Sequence, residues 1–129
     1  MVYGIGHDIV CINRIQRLIK RYKHHFYNKV LSESEQLLFP VQNIEVFIAK
    51  KFVAKEAFAK ACGIGLRKPI YMKNITITND QHGKPQIIVH NDIQEWLTKQ
   101  NIKNIFVSIS DEVKCLSYQI ASAFVILEF

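Results

Sequence analysis

Residues Phe47–Gly65 read FIAKKFVAKEAFAKACGIG, and the order of elements on either side follows from them. All but the last three of them lie within a run, Ile44–Cys62, that contains neither glycine nor proline and predicts one long helix. Gly63 follows it as a residue able to take the left-handed cap conformation, and Pro69 forbids resumption. On a helical wheel Glu56 and Lys60 stand one turn apart, on a side shared with Ala49, Phe52, Val53 and Ala59. That side is too apolar for a freely solvated carboxylate, so Glu56 must be paired or must bind a cation. One reading is a Glu56–Lys60 salt bridge at i,i+4, common and weak. The other is a metal-binding acid beside a phosphate-binding lysine, ending at a glycine turn that a ligand can approach. Taken alone, the stretch favours the salt bridge.

Toward the N-terminus, residues 2–6 predict a short strand leading into GIGHDIV. The G-x-G is a weak dinucleotide signal, because Ile9 stands where a third glycine is needed. Asp8 then reads as an acid just ahead of a helix that starts near Ile12. Ile12, Ile15, Ile19, Tyr22 and Phe26 recur at helical spacing and predict a helix over 12–26. Its opposite side carries Arg14, Arg17 and Arg21 in one line. Such a line is ordinarily solvated surface, yet guanidinium forks suit carboxylates and phosphates. Ser32 and Glu35 form the signature of a capping box, opening a helix that Pro40 ends.

Toward the C-terminus, NITITND and PQIIV flank QHGK and predict a hairpin. Asn91 with Gln94 reads as the N-cap of a further helix. NIFVSIS alternates, and LSYQIASAFVILEF is long enough for a strand with a bend. Two serines on one face of the first of these strands lead to Asp111, with no histidine nearby to suggest a serine hydrolase. The order is strand, three helices, hairpin, helix, two strands. That is an α+β chain with a small antiparallel sheet packed with helices, expected as a single domain over 1–129.

Composition sets the outer bounds. The chain has 129 residues, 49% of them hydrophobic and 22% charged, enough to bury a core and unlike a disordered segment. No apolar run reaches the ~18 residues of a membrane span, and the start does not resemble a signal peptide. Cys11, Cys62 and Cys115 match no metal or redox spacing and read as small core residues in a reducing cytoplasm. A net charge of +6 calls for an acidic partner: nucleic acid, an acidic protein or a phosphate-rich small molecule.

Four stretches, GIGHDIVCINR, KFVAKEAFAKACGIG, DQHGKP and VSIS, occur in an order and spacing that resemble the holo-acyl-carrier-protein synthases, the short 4'-phosphopantetheinyl transferases. The resemblance covers nearly the whole chain. It implies transfer of 4'-phosphopantetheine from coenzyme A to a serine of an acidic apo-acyl carrier protein, with release of adenosine 3',5'-bisphosphate. It further implies Mg2+ dependence, a cytoplasmic setting and a role in fatty acid biosynthesis. By the same resemblance Asp8 and Glu56 are the metal-binding acids, and with Lys60 they form the catalytic set. Lys51, Lys60, Gly63, Gly65, Pro85, Ser110 and Asp111 bind coenzyme A. Either a metal-bound water or Glu56 takes the proton from the attacking serine. The opening glycines leave backbone room around the metal–diphosphate site, and His7 only flanks it. Arg14 stands at the family's basic position for docking the carrier, and Arg17 and Arg21 extend that line on the wheel. The family is typically a homotrimer with sites between subunits, with which the long apolar C-terminal strand is compatible. Neither nucleic acid nor a membrane is expected as a partner.

Two departures stand out. Lys51 occupies a position where the family usually has arginine, and Asp111 one where it usually has histidine. A histidine donates hydrogen bonds to a cofactor phosphate, whereas an ionised aspartate repels it. So Asp111 points away, or a cation such as Lys114 compensates, or coenzyme A binds less well. Asp111 also keeps a second reading open, a carrier-binding relative with impaired catalysis. A small basic nucleic-acid-binding module is a third, resting on charge alone and lacking the interleaved aromatics of single-strand binders.

Overall fold

The computed structural model of the chain describes residues 1–114 and 117–129. Its elements are β1 (Val2–Cys11), α1 (Ile12–Tyr22), α2 (His24–Val30), α3 (Glu33–Leu37), α4 (Ile44–Cys62), β2 (Ile75–Asn79), β3 (Pro85–Val89), α5 (Asp92–Lys99), β4 (Asn104–Glu112) and β5 (Ile120–Glu128). A short 3-10 turn, Met72–Asn74, precedes β2. One antiparallel sheet has the order β1-β5-β4, and β2 and β3 form a separate hairpin. The arrangement is α+β, with α4 lying across one face of the larger sheet.

Small residues make that packing close. Ala121, Ala123, Val125 and Leu127 of β5 are buried, as are Ala49, Val53, Ala57 and Ala61 of α4. Register carries the same face outward: Gly6 pairs with Val125, Asp8 with Ala123 and Val10 with Ala121 on one side, and Val107 with Val125, Ile109 with Ala123 and Asp111 with Ala121 on the other. Because side chains alternate along a strand, Gly4, Gly6, Asp8 and Val10 all face α4. A Cβ at Gly4 or Gly6 would collide with the α4 backbone at Ala61 or Ala57. The opening glycines are therefore a close approach of strand to helix, and neither a dinucleotide loop nor room around a ligand.

Several expectations change in detail. The first strand extends to Cys11 instead of ending at residue 6, because β5 offers it a partner along its whole length. Asp8 thus lies inside a strand. The helix expected over 12–26 breaks at Lys23, which has φ 46°. Its N–H bonds Ile19 O and its carbonyl accepts from Phe26 and Tyr27, closing α1 and opening α2. Four helices therefore precede the hairpin, where three were expected.

The capping box at Ser32 and Glu35 and the span of α4 with its Gly63 cap at φ 79° are as expected. Asn91 makes no side-chain cap; its amide donates to Asn74 Oδ1 instead. β5 starts at Ile120, and Cys115 and Leu116, which entered the expectations for the core and the last strand, lie outside the described residues. Cys62 is buried in the core, but Cys11 is exposed, since it falls on the sheet face opposite α4. Among the described residues no helix is long and apolar enough to cross a membrane.

Candidate functional site

The two glycines that let β1 settle on α4 also bring Asp8 to the end of that helix. Lys60 Nζ donates to Asp8 Oδ1 at 2.9 Å and to the carbonyl of His7 at 3.0 Å. The weak helical pair expected between Glu56 and Lys60 is thus replaced by a pair between elements 52 residues apart. A carboxylate and a carbonyl from one strand together make a better seat than one carboxylate a turn back on the same helix. His7 itself points to the other face, stacked on Phe124 at 4.2 Å, so it flanks the site without entering it.

Glu56 lies one turn before Lys60 and is half-buried. Burial pushes its carboxyl pKa upward, and the negative charge of Asp8 pushes it further; Lys60 and Arg14 oppose both. Asp8, Glu56, Lys60 and Arg14 therefore form one electrostatic group, built on β1, α4 and α1. The two acids repel one another through a partly desolvated space. That is the condition in which a carboxylate pair recruits a cation or holds a proton. Among the described residues no three His, Cys, Asp or Glu side chains converge as a metal site.

Gly63 and Gly65, at φ 79° and 71°, turn the chain just beyond Lys60, and nothing lies within 4 Å of a Cβ at either. Their demand is conformational, because left-handed backbone favours glycine. Arg14, Arg17 and Arg21 are exposed along α1, while Ile12 and Ile15 bury its other side. Beside them runs a groove of about 690 Å³ whose walls include Leu18, Tyr22, Phe26, Phe52 and Met72, with Glu56 in its lining. The sequence reading missed this groove. Its signal was Leu18 and Tyr22, apolar positions at the margin of the basic stripe.

A second region forms around Lys50 and Lys51. Lys51 and Lys60 are nine residues apart on α4, about 14 Å along its axis. A cleft of about 430 Å³ there is lined by Phe47, Lys50 and Lys51 of α4, by Ile77, Gly83 and Pro85 of the hairpin, and by Ile109. Lys51 Nζ donates to the carbonyl of Ile77 at 2.8 Å, lies 3.6 Å from Glu35 Oε2 and sits over the Phe47 ring. Burial lowers its pKa, against the pull of Glu35. Asp111 faces α4 and pairs with Lys50 at 3.5 Å. The cation beside Asp111 is therefore Lys50, where Lys114 was expected. Lys114 instead offers its backbone N–H to Glu112.

Ser110 does not join this region. The alternation that turns Asp111 toward α4 turns Ser110 to the opposite face, opposite Ser122. Glu35 and Lys55 were also missed. The capping-box reading of Glu35 is correct, but the carboxylate is 2% exposed and also binds Lys55, itself wholly buried. Burial pulls Lys55 down to about 8, against the pull of Glu35. A lysine amid an otherwise apolar helix face was the available signal.

The family model of the 4'-phosphopantetheinyl transferase superfamily matches residues 4–121. The chain belongs to this superfamily. It is 43% identical over 129 residues to a holo-[acyl-carrier-protein] synthase of Nitrosomonas eutropha, covering 99% of each chain. Its fold matches the crystal structure of holo-[acyl-carrier-protein] synthase from Neisseria meningitidis with a TM-score of 0.93 at 40% identity, over 100% of both chains. It also matches a Helicobacter pylori holo-[acyl-carrier-protein] synthase solved in complex with coenzyme A, with a TM-score of 0.81 at 32% identity, over 96% of this chain and 99% of the other. Members of this superfamily therefore share the sheet and long helix described above, including one that binds coenzyme A.

Proposed function

We propose that this chain, as one domain over 1–129, is a holo-acyl-carrier-protein synthase. It moves 4'-phosphopantetheine from coenzyme A to a serine of apo-acyl carrier protein. The serine oxygen forms a bond to the phosphorus nearer the pantetheine, the bond from that phosphorus to the bridging oxygen breaks, and adenosine 3',5'-bisphosphate leaves. The observation that carries this reading is the meeting of Asp8, Glu56 and Lys60 where β1 crosses α4.

The roles follow from the chemistry of each group. Lys60, held by Asp8 and the His7 carbonyl yet exposed, meets a phosphate oxygen with its remaining donor. Glu56, its proton affinity raised by burial and by Asp8, is suited to take the proton of the attacking serine. The donor set fits magnesium: two carboxylates are hard oxygen ligands, and this ion commonly takes one or two of them plus substrate phosphates and waters. Asp8 and Glu56 would hold Mg2+, which would supply charge neutralisation for the diphosphate. Lys51, Pro85, Gly63, Gly65 and Lys60 bind coenzyme A along α4 and the hairpin, with Asp111 acting at one end through Lys50. Arg14, Arg17 and Arg21 dock the acidic carrier.

The reading also carries a homotrimer with sites shared between subunits. Its support is the sheet face opposite α4, where Ile5, Ile9, Phe106, Phe124 and Ile126 are exposed. Ser110 shares that face, so it reaches a coenzyme A site only by way of a second copy. The family's cytoplasmic setting and service to fatty acid biosynthesis come with the reading, and neither nucleic acid nor a membrane is called for.

The test is direct: incubate the chain with apo-acyl carrier protein, coenzyme A and Mg2+, then weigh the carrier. A phosphopantetheine mass gain is expected. Carrier binding without a gain selects the catalytically impaired relative. Nucleic-acid binding with neither carrier binding nor a gain selects the basic module.

A further inference from the structure

We propose that Glu35 is a positioning residue that sets the separation between the two walls of the coenzyme A cleft; this rests on the function proposed above. Glu35 is 2% exposed and its carboxylate is fully engaged. Oε1 accepts from the Ser32 backbone N–H at 2.8 Å and from Lys55 Nζ. Oε2 accepts from the Ile77 backbone N–H at 2.9 Å and lies 3.6 Å from Lys51 Nζ. Lys51 in turn donates to the Ile77 carbonyl at 2.8 Å.

Ile77 stands opposite Ile87 in the hairpin, in a sheet of two strands only. In an antiparallel ladder the N–H and C=O of alternate residues point away from the partner strand. At Ile77 both of those outward groups are taken by side chains, one from α3 and one from α4. Glu35 and Lys51 therefore do for β2 what a neighbouring strand would do. They satisfy the open edge at Ile77, and they fix the hairpin's distance from α4 there. The cleft lies in that interval, with Phe47, Lys50 and Lys51 on one side and Ile77, Gly83 and Pro85 on the other.

Glu35 touches none of the proposed reacting groups. Its effect must therefore appear in cofactor binding and leave the chemical step alone. Glu35→Gln loses the carboxylate's hold on Lys51 but leaves Lys55 buried without its counter-ion. The double variant Glu35→Gln with Lys55→Met removes both partners of that pair, a change often tolerated in stability. For each variant, KM for coenzyme A, KM for carrier, kcat and the affinity for adenosine 3',5'-bisphosphate by titration calorimetry are measured against the wild type. The expected result is a rise of about tenfold or more in KM for coenzyme A. A matching loss of bisphosphate affinity is expected with it, while kcat and the carrier KM stay within about twofold. A lowered active fraction alone, which a purely structural role produces, reduces apparent kcat with KM unmoved and overturns the proposal. So does an unchanged coenzyme A KM in the folded double variant. A wild-type chain that transfers nothing overturns the functional reading itself, and the inference with it.

Discussion

At Glu56 two pressures act on one carboxyl in the same direction, burial first and the charge of Asp8 second. The folded protein therefore binds a proton at Glu56 at higher pH than an unfolded chain does. Its contribution to stability is fully present below the unfolded pKa and is lost as pH rises through the raised folded one. Activity runs the other way, since the group must be deprotonated to take a proton. The acid limb of the kcat profile should rise with pH as Glu56 loses its proton, at a lower pH when Mg2+ is bound than without it, because the cation favours the charged form. Glu56→Gln should lower kcat by about 10²-fold or more and erase that limb, as steady-state kinetics across pH would read. At Asp111 the pairing with Lys50 partly cancels a positive charge on the cleft wall. Asp111→His should lower the KM for coenzyme A by about threefold to tenfold, the range of an exposed ion pair with an added donor. A KM that stays level or rises would show that Lys50 already neutralises Asp111 in the bound state.

At the level of elements, the crossing of β1 over α4 builds the site. The crossing distance is set by Gly4 and Gly6, whose missing Cβ atoms admit the helix backbone at Ala61 and Ala57. Gly6→Ala forces the two apart, with an overpacking cost of about 1–3 kcal/mol in denaturant unfolding. Because Asp8 follows two residues later on the same face, the variant should also lose transfer activity under conditions where it remains folded. Much of this level was legible beforehand. The long run without glycine or proline and the Gly63 cap marked α4, and the Ser32–Glu35 pair marked the start of α3. These signals act within a few residues of one another. The break at Lys23 was not legible, because a periodic apolar stripe reads the same whether or not the chain turns once along it. The full extent of β1 was also missed, since strand length there depends on β5, more than a hundred residues on.

For the whole molecule, the sheet face opposite α4 is the surface suited to a second copy of the chain. Ile5 is 63% exposed, Ile9 55% and Phe124 51%, on a surface flanked by polar strand residues. Contiguous apolar surface of this kind marks an interface more often than free solvent contact. A charge placed there, as in Ile126→Lys, should convert the proposed trimer to monomers by light scattering and remove activity together with it. A monomeric wild type, or an assembly that survives the substitution, would count against the trimer.

The sequence alone determined what local chemistry can determine: the caps at Ser32 and Gly63, the hairpin and the α+β order, while the resemblance of its motifs pointed to Asp8, Glu56 and Lys60. Only the tertiary structure decided who pairs with whom. Lys60 turns to Asp8 and leaves Glu56, Lys50 answers Asp111, Glu35 clamps Lys51 and Ile77, and Ser110 faces the other way. Periodicity and capping are short-range and can be read along a chain. Ion pairs across elements depend on register and on which face a residue takes, and a shift of one position reverses both.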